Sequence, residues 1–132
     1  MKRAVALAGV AFFAAACGSS HRAVAPGCVR VYFDRDASRA AENAVTKRLR
    51  EDERVLRMVF VDKAQALREM RRKHPELFAR LPANPLPDAL RVLTRDAPSA
   101  RSLRRSVGTW RGVALAKAGF AFGRPVTARR CL

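Results

Sequence analysis

The residues of this chain able to do chemistry are few: three cysteines, two histidines and eleven carboxylates. His21 and His74 lie far apart in the sequence, and His74 stands directly before Pro75, where it reads as a helix-terminal residue. Asp34 with Asp36, and Glu51-Asp52-Glu53, form carboxylate clusters flanked by arginines. One falls at a strand end and the other at a helix end, and solvated ion pairs account for both. The sequence carries no glycine-rich phosphate loop and no metal-ligand spacing. It reads as a non-enzyme that needs neither cofactor nor metal.

The cysteines speak instead about location. Lys2 and Arg3 are a short positive start, and Ala4–Ala16 is an uncharged, apolar run. As a helix that run would span about 20 Å, short of the roughly 30 Å hydrocarbon core of a bilayer. With small residues at Ala14-Ala15-Ala16, residues 1–16 have the layout of a secretory signal peptide. The run Ala14-Ala15-Ala16-Cys17 also resembles a bacterial lipobox, although Ala14 stands where leucine is preferred. Gly18-Ser19-Ser20 would then be the flexible start of a tether over residues 17–27, with Cys17 as the lipidated residue. A two-chain anchor holds a protein stably on a membrane. Lipidation on the outer face of the cell membrane and plain secretion both follow from this leader. Cys28 and Cys131 remain, an even pair that in an exported chain reads as a disulfide.

The 132 residues carry 27 lysines and arginines against 11 acids, a formal charge of +16. Such a surface favours anionic partners: nucleic acid, phospholipid head groups or wall polymers. Export sets nucleic acid aside, and few aromatic side chains are available for stacking. Arg68, Arg71, Arg72 and Lys73 crowd one helix, and Arg101, Arg104 and Arg105 another. Each reads singly as a solvated cation and together as a face for anionic lipid or wall polymer.

From Cys28 onward the pattern alternates strands and helices. Val29–Phe33 alternates Val29, Val31 and Phe33 with Arg30 and Tyr32, as a half-buried strand does. Ser38 caps a helix to about Asp52, with Ala41, Ala44, Val45 and Leu49 inward. Val55–Val61 is the second strand. Asp62 with Gln65 has the spacing of a capping box, opening a helix that ends at His74 before Pro75. A short helix, Glu76–Leu81, precedes Pro82-Ala83-Asn84-Pro85-Leu86-Pro87, too rich in proline for regular structure. Ala89–Thr94 is a third strand, Asp96 caps a helix to Val107, and Val113–Ala118 is a fourth strand after a turn. The order β-α-β-α-loop-β-α-β describes a small α+β sandwich, a split βαβ sheet with helices on one face. Residues 120–132 form a basic tail.

Val61-Asp62-Lys63-Ala64-Gln65-Ala66-Leu67, followed by Asn84-Pro85-Leu86-Pro87, resembles the extracellular domain of FtsX, the permease-like bacterial cell-division protein. The resemblance covers residues 28–119, and Trp110-Arg111-Gly112-Val113 stands where that family has a Leu-Pro-Gly-Val-like turn. It implies an exported, non-catalytic module that recruits or regulates peptidoglycan hydrolases, or coiled-coil adaptors for them. It also implies a helical lobe projecting from the sheet, and domain ends close enough for Cys28 and Cys131 to meet. The family's domain is flanked by transmembrane helices, whereas this sequence offers only a leader.

Within the lobe, Leu67, Met70, His74, Leu77, Phe78 and Leu81 recur at near-helical spacing. Ala64 and Leu67 read as core. Met70, Leu77, Phe78 and Leu81 read equally as core or as a partner-binding surface, because a small lobe cannot bury every apolar side chain.

Overall fold

The computed structural model describes residues 24–119 and 127–132. The signal-peptide segment, Cys17 and the tether up to residue 23 lie outside the described residues, as do residues 120–126 of the basic tail. Strands β1 (Gly27–Phe33), β2 (Val55–Val61), β3 (Ala89–Thr94) and β4 (Val113–Gly119) form one sheet in the order β2-β3-β1-β4. Every neighbouring pair is antiparallel. β1 and β2 therefore run the same way with β3 between them, and β3 and β4 run the same way around β1. These are two interlocked split βαβ units. Helix α1 (Arg39–Arg50) connects the first pair and α4 (Ala97–Val107) the second, while α2 (Lys63–Lys73) and α3 (Pro75–Phe78) form a lobe inserted between β2 and β3.

Alternation along the strands assigns one face to the core. Val29, Val31 and Phe33 of β1 join Leu90 and Val92 of β3 beneath Val45 and Leu49 of α1 and Ala100, Leu103 and Val107 of α4. All but Val45 among these are at most 1 % exposed. The helices start where capping side chains accept orphan backbone N–H groups: Ser38 from Ala41, Asp62 from Gln65 and Asp96 from Ser99. Gly27 lets β1 approach α4 closely, since a Cβ there would lie 2.6 Å from that of Ala100. Gly112, at φ 86°, makes the turn into β4 in a conformation glycine adopts without strain. Before that turn, the Arg48 guanidinium lies 4.1 Å from the ring centroid of Trp110.

The framework of the fold departs from the sequence reading at several points. In α1, Ala44 is exposed and Glu42 takes the inward position beside Val45 and Leu49. The second lobe helix is shorter, Pro75–Phe78 rather than Glu76–Leu81. Helices do not occupy one sheet face only. A short helix, α5 (Ala128–Cys131), sits in the segment read as a tail and packs with Cys28 and Leu93 on the face away from α1 and α4. The lobe also reaches this face, as its contacts with β3 show below.

Candidate functional site

The second sheet face carries Cys28, Arg30 and Tyr32 of β1 and Ala89, Arg91 and Leu93 of β3, the positions that alternate with the core residues. Arg91 is its organising side chain. One terminal nitrogen pairs with the Glu69 carboxylate of α2, and the other donates to the Leu132 carbonyl at 3.1 Å. The same hydrogen-bonded Arg91 holds the Glu69 carboxyl below the usual carboxylate range. A strand residue thus joins the lobe to the C-terminal segment. Cys131, 1 % exposed, is disulfide-bonded to Cys28, with their Cα atoms 5.6 Å apart.

Between α2 and this face lies a cleft of about 280 Å³. Ala66, Glu69, Met70 and Lys73 line it from α2, Tyr32 and Val61 from the strands, and Leu86 and Pro87 from the proline-rich segment. That segment has a defined grip on the lobe. Asn84 donates from Nδ2 to the Lys63 carbonyl at 2.5 Å and accepts the Leu86 N–H at 3.0 Å. Asp88 accepts the Lys63 N–H at 2.6 Å. Both backbone groups of the first α2 residue are thereby held by the Asn84–Asp88 stretch.

The capping box at the start of α2 is half formed. Asp62 accepts the Gln65 N–H at 2.7 Å, but the Gln65 side chain turns along the helix to Glu69, 3.3 Å away. The core positions read for this helix are also only partly met. Ala64 is exposed, Leu67 half-buried, and no α2 residue is fully buried. The cleft is lined by Ala66, Glu69, Met70 and Lys73, with Glu69 paired to Arg91 of the sheet.

The four residues read as candidates for partner binding separate into two groups. Met70 turns into the cleft. Leu77, in α3, is 64 % exposed, and Phe78 and Leu81 near it are half-buried. Arg71 donates to the Phe78 carbonyl at 3.3 Å, fastening α3 to α2. His74 joins the two helices, 3.9 Å from Glu76. Of the carboxylate clusters, Asp52 pairs with Arg54 at 2.6 Å, which lowers its carboxyl through that hydrogen-bonded contact.

A second, polar crevice of about 260 Å³ lies at the lobe's root, where Asp34, Glu42, Lys63, Asn84 and Asp88 converge. Burial, and then the neighbouring Asp88 carboxyl, push the Glu42 carboxyl above the ordinary glutamate value. Folded Glu42 therefore holds its proton more tightly than unfolded Glu42. The stability it supports is intact below the ordinary glutamate value and is lost as pH rises through the folded value. Glu42→Gln is accordingly expected to unfold at higher temperature than wild type at pH 7, with the advantage vanishing near pH 4. Thermal melts at both pH values check it, and a variant equally or less stable at pH 7 contradicts it. Taking the difference between the two proteins removes the opposite contributions of Asp52 and Glu69, whose carboxyls are lowered.

Among the described residues no group of three or more His, Cys, Asp or Glu side chains is placed to hold a metal ion. None of their helices is long and apolar enough to cross a membrane.

A split βαβ sheet with a helical lobe between its second and third strands defines a small α+β domain that presents a cleft, a polar crevice and the exposed Leu77 of the lobe. The family model "FtsX extracellular domain" matches residues 28–120, and the chain belongs to that family. It is thus a cell-division-related domain, and membership of a family of extracellular domains implies export. Two solved structures share the fold. One is Extracellular Domain 1 of FtsX from Streptococcus pneumoniae in complex with undecyl-maltoside, with TM-score 0.60 and 18% identity over 69% of this chain and 92% of that one. The other is the solution structure of the large extracellular loop of FtsX from the same species, with TM-score 0.60 and 18% identity over 70% of this chain and 98% of that one. A comparison with curated proteins found no match.

Proposed function

We propose that this domain is a non-catalytic extracytoplasmic binding module that recruits or regulates a cell-envelope protein in division, a peptidoglycan hydrolase or a coiled-coil adaptor for one. The supporting observation is Leu77, an apolar side chain of α3 that is 64 % exposed, with Phe78 and Leu81 half-buried near it in sequence. An exposed apolar patch on a small lobe suits the apolar face of a partner helix. In this reading residues 1–16 are the signal peptide and 17–27 a tether lipidated at Cys17 on the outer face of the cell membrane. The domain proper is 28–119, and 120–132 is a basic tail secured by its cysteine.

The excess of 27 basic over 11 acidic residues supports a second reading, a cationic envelope protein that binds anionic lipid or wall polymer. A pull-down from envelope extract at increasing salt separates the two. The bait is the disulfide-bonded chain, beside a Leu77→Asp/Phe78→Asp variant shown by circular dichroism to be folded. The adaptor reading expects a hydrolase or coiled-coil protein retained at high salt and lost with the variant. Capture that disappears with salt and ignores the variant rejects the lobe as the binding surface.

A further inference from the structure

The strand register places three cations in one line. On the second sheet face, Arg91 of β3 lies opposite Arg30 of β1, and Arg30 lies opposite Lys117 of β4. Like charges directly opposed on neighbouring strands repel, so such a row weakens a sheet unless anions compensate it. Compensation here is partial. Arg91 has Glu69, but neither Arg30 nor Lys117 has a carboxylate partner among the described residues. Lys73 adds a further cation on the cleft's α2 wall, and Glu69, already committed to Arg91, is the one acid among the described residues that line it.

The uncompensated charge adjoins an apolar trough. Tyr32, Val61, Met70, Leu86 and Pro87 line the cleft that Arg30 and Lys73 also border. Its volume, about 280 Å³, is near the lower end for a small-molecule site. A helix about 10–12 Å across does not enter a space of that size, whereas a single alkyl chain does. Arginine and lysine are suited to a phosphate, arginine by its two-pronged fork and lysine as a point charge. We propose that the cleft between α2 and the sheet binds one acyl chain of an anionic phospholipid, with the phosphate held by Arg30 and Lys73, which border it. The site does not include Leu77 and does not depend on a protein partner engaging that residue.

The test is calorimetric titration of the full-length, disulfide-bonded chain with dodecyl phosphate below its micelle concentration. Dodecyl maltoside, inorganic phosphate and an acidic amphipathic helical peptide are titrated beside it. Each is repeated with Arg30→Ser/Lys73→Ser and with Ala66→Trp, which fills the cleft, so that binding elsewhere on the chain is common to all and cancels. Circular dichroism establishes that both variants fold. Dodecyl phosphate should bind wild type about tenfold or more tightly than the maltoside, as charge-assisted hydrogen bonds require. The double serine variant should lose that preference, and Ala66→Trp should weaken both amphiphiles. Equal affinity for the charged and neutral amphiphiles overturns the proposal, as does inorganic phosphate binding as well as its dodecyl ester. Indifference to Ala66→Trp also overturns it, and a peptide that binds this cleft more tightly than dodecyl phosphate assigns the cleft to a protein instead.

Discussion

Replacing Cys28 and Cys131 together by serine should lower the stability of the folded domain by about 2–5 kcal/mol. The bridge joins residues 103 positions apart, so it closes almost the whole domain into one loop. Without it the unfolded chain gains freedom that grows with loop length, although only logarithmically. Each kcal/mol corresponds to roughly 4–8 °C in the melting midpoint for a domain this size. The double variant should therefore melt roughly 8–40 °C below wild type. Reductant should bring wild type down to the variant's midpoint and leave the variant unchanged. A difference of only a degree or two would show that the bridge decorates a domain already stable without it.

The loss should also have a local signature. Helix α5 has four residues, too few to hold itself together in water. It is held by packing on Leu93, by the bridge through Cys131 and by the bond from Arg91 to the Leu132 carbonyl. Hydrogen exchange at Arg130, Cys131 and Leu132, whose amides bond to Thr127 and Ala128, should accelerate far more than exchange in β1 or β3. Uniform acceleration throughout would mean that the bridge acts on the whole fold and not on this segment.

Phe33→Ala should produce a loss of comparable size, about 3–5 kcal/mol. Phe33 ends β1, is 1 % exposed and belongs to the main core cluster. Phe60 of β2 faces it, with ring centroids 6.2 Å apart and the planes at 37°, but is itself 38 % exposed. Truncating Phe60 leaves less of a cavity and removes less buried surface, so Phe60→Ala should cost about 1 kcal/mol. Denaturant melts of both variants measure the contrast. Equal losses would contradict the assignment of Phe60 to the rim and Phe33 to the interior.

Much of the fold was legible because it is written in short stretches. Val55–Val61 and Ala89–Thr94 are read from sequence with the bounds the structure has, each a β-rich run between turn or capping residues. Ser38, Asp62 and Asp96 are likewise recognisable as caps, since a cap depends on three or four consecutive residues. The alternation in Val29–Phe33 separates inward Val29, Val31 and Phe33 from outward Arg30 and Tyr32. The Asn84-Pro85-Leu86-Pro87 segment carried the family resemblance, and its asparagine proves to be a clamp on the lobe's first residue.

The rest depended on neighbours distant in the chain. Helical periodicity proposes a buried stripe through Ala64 and Leu67, but Ala64 is exposed and Leu67 only half-buried, while Ala66, Glu69 and Met70 line the cleft and Glu69 pairs with Arg91. An ion pair 22 residues apart leaves no trace in local spacing. Glu42 at an inward position is invisible for the same reason, because only packing brings Asp88 beside it. Helix α5 is not foreseen, since four residues lack the propensity to form it without the bridge and Arg91. By itself the sequence determined the types and order of the elements from β1 to β4, the family resemblance and the charge, which need no knowledge of which residues meet in space. Only tertiary structure decided the strand order β2-β3-β1-β4, and with it the line of Arg91, Arg30 and Lys117. Register between strands is a long-range choice, made by whichever pairing buries the core face, and it aligns these charges only as a consequence.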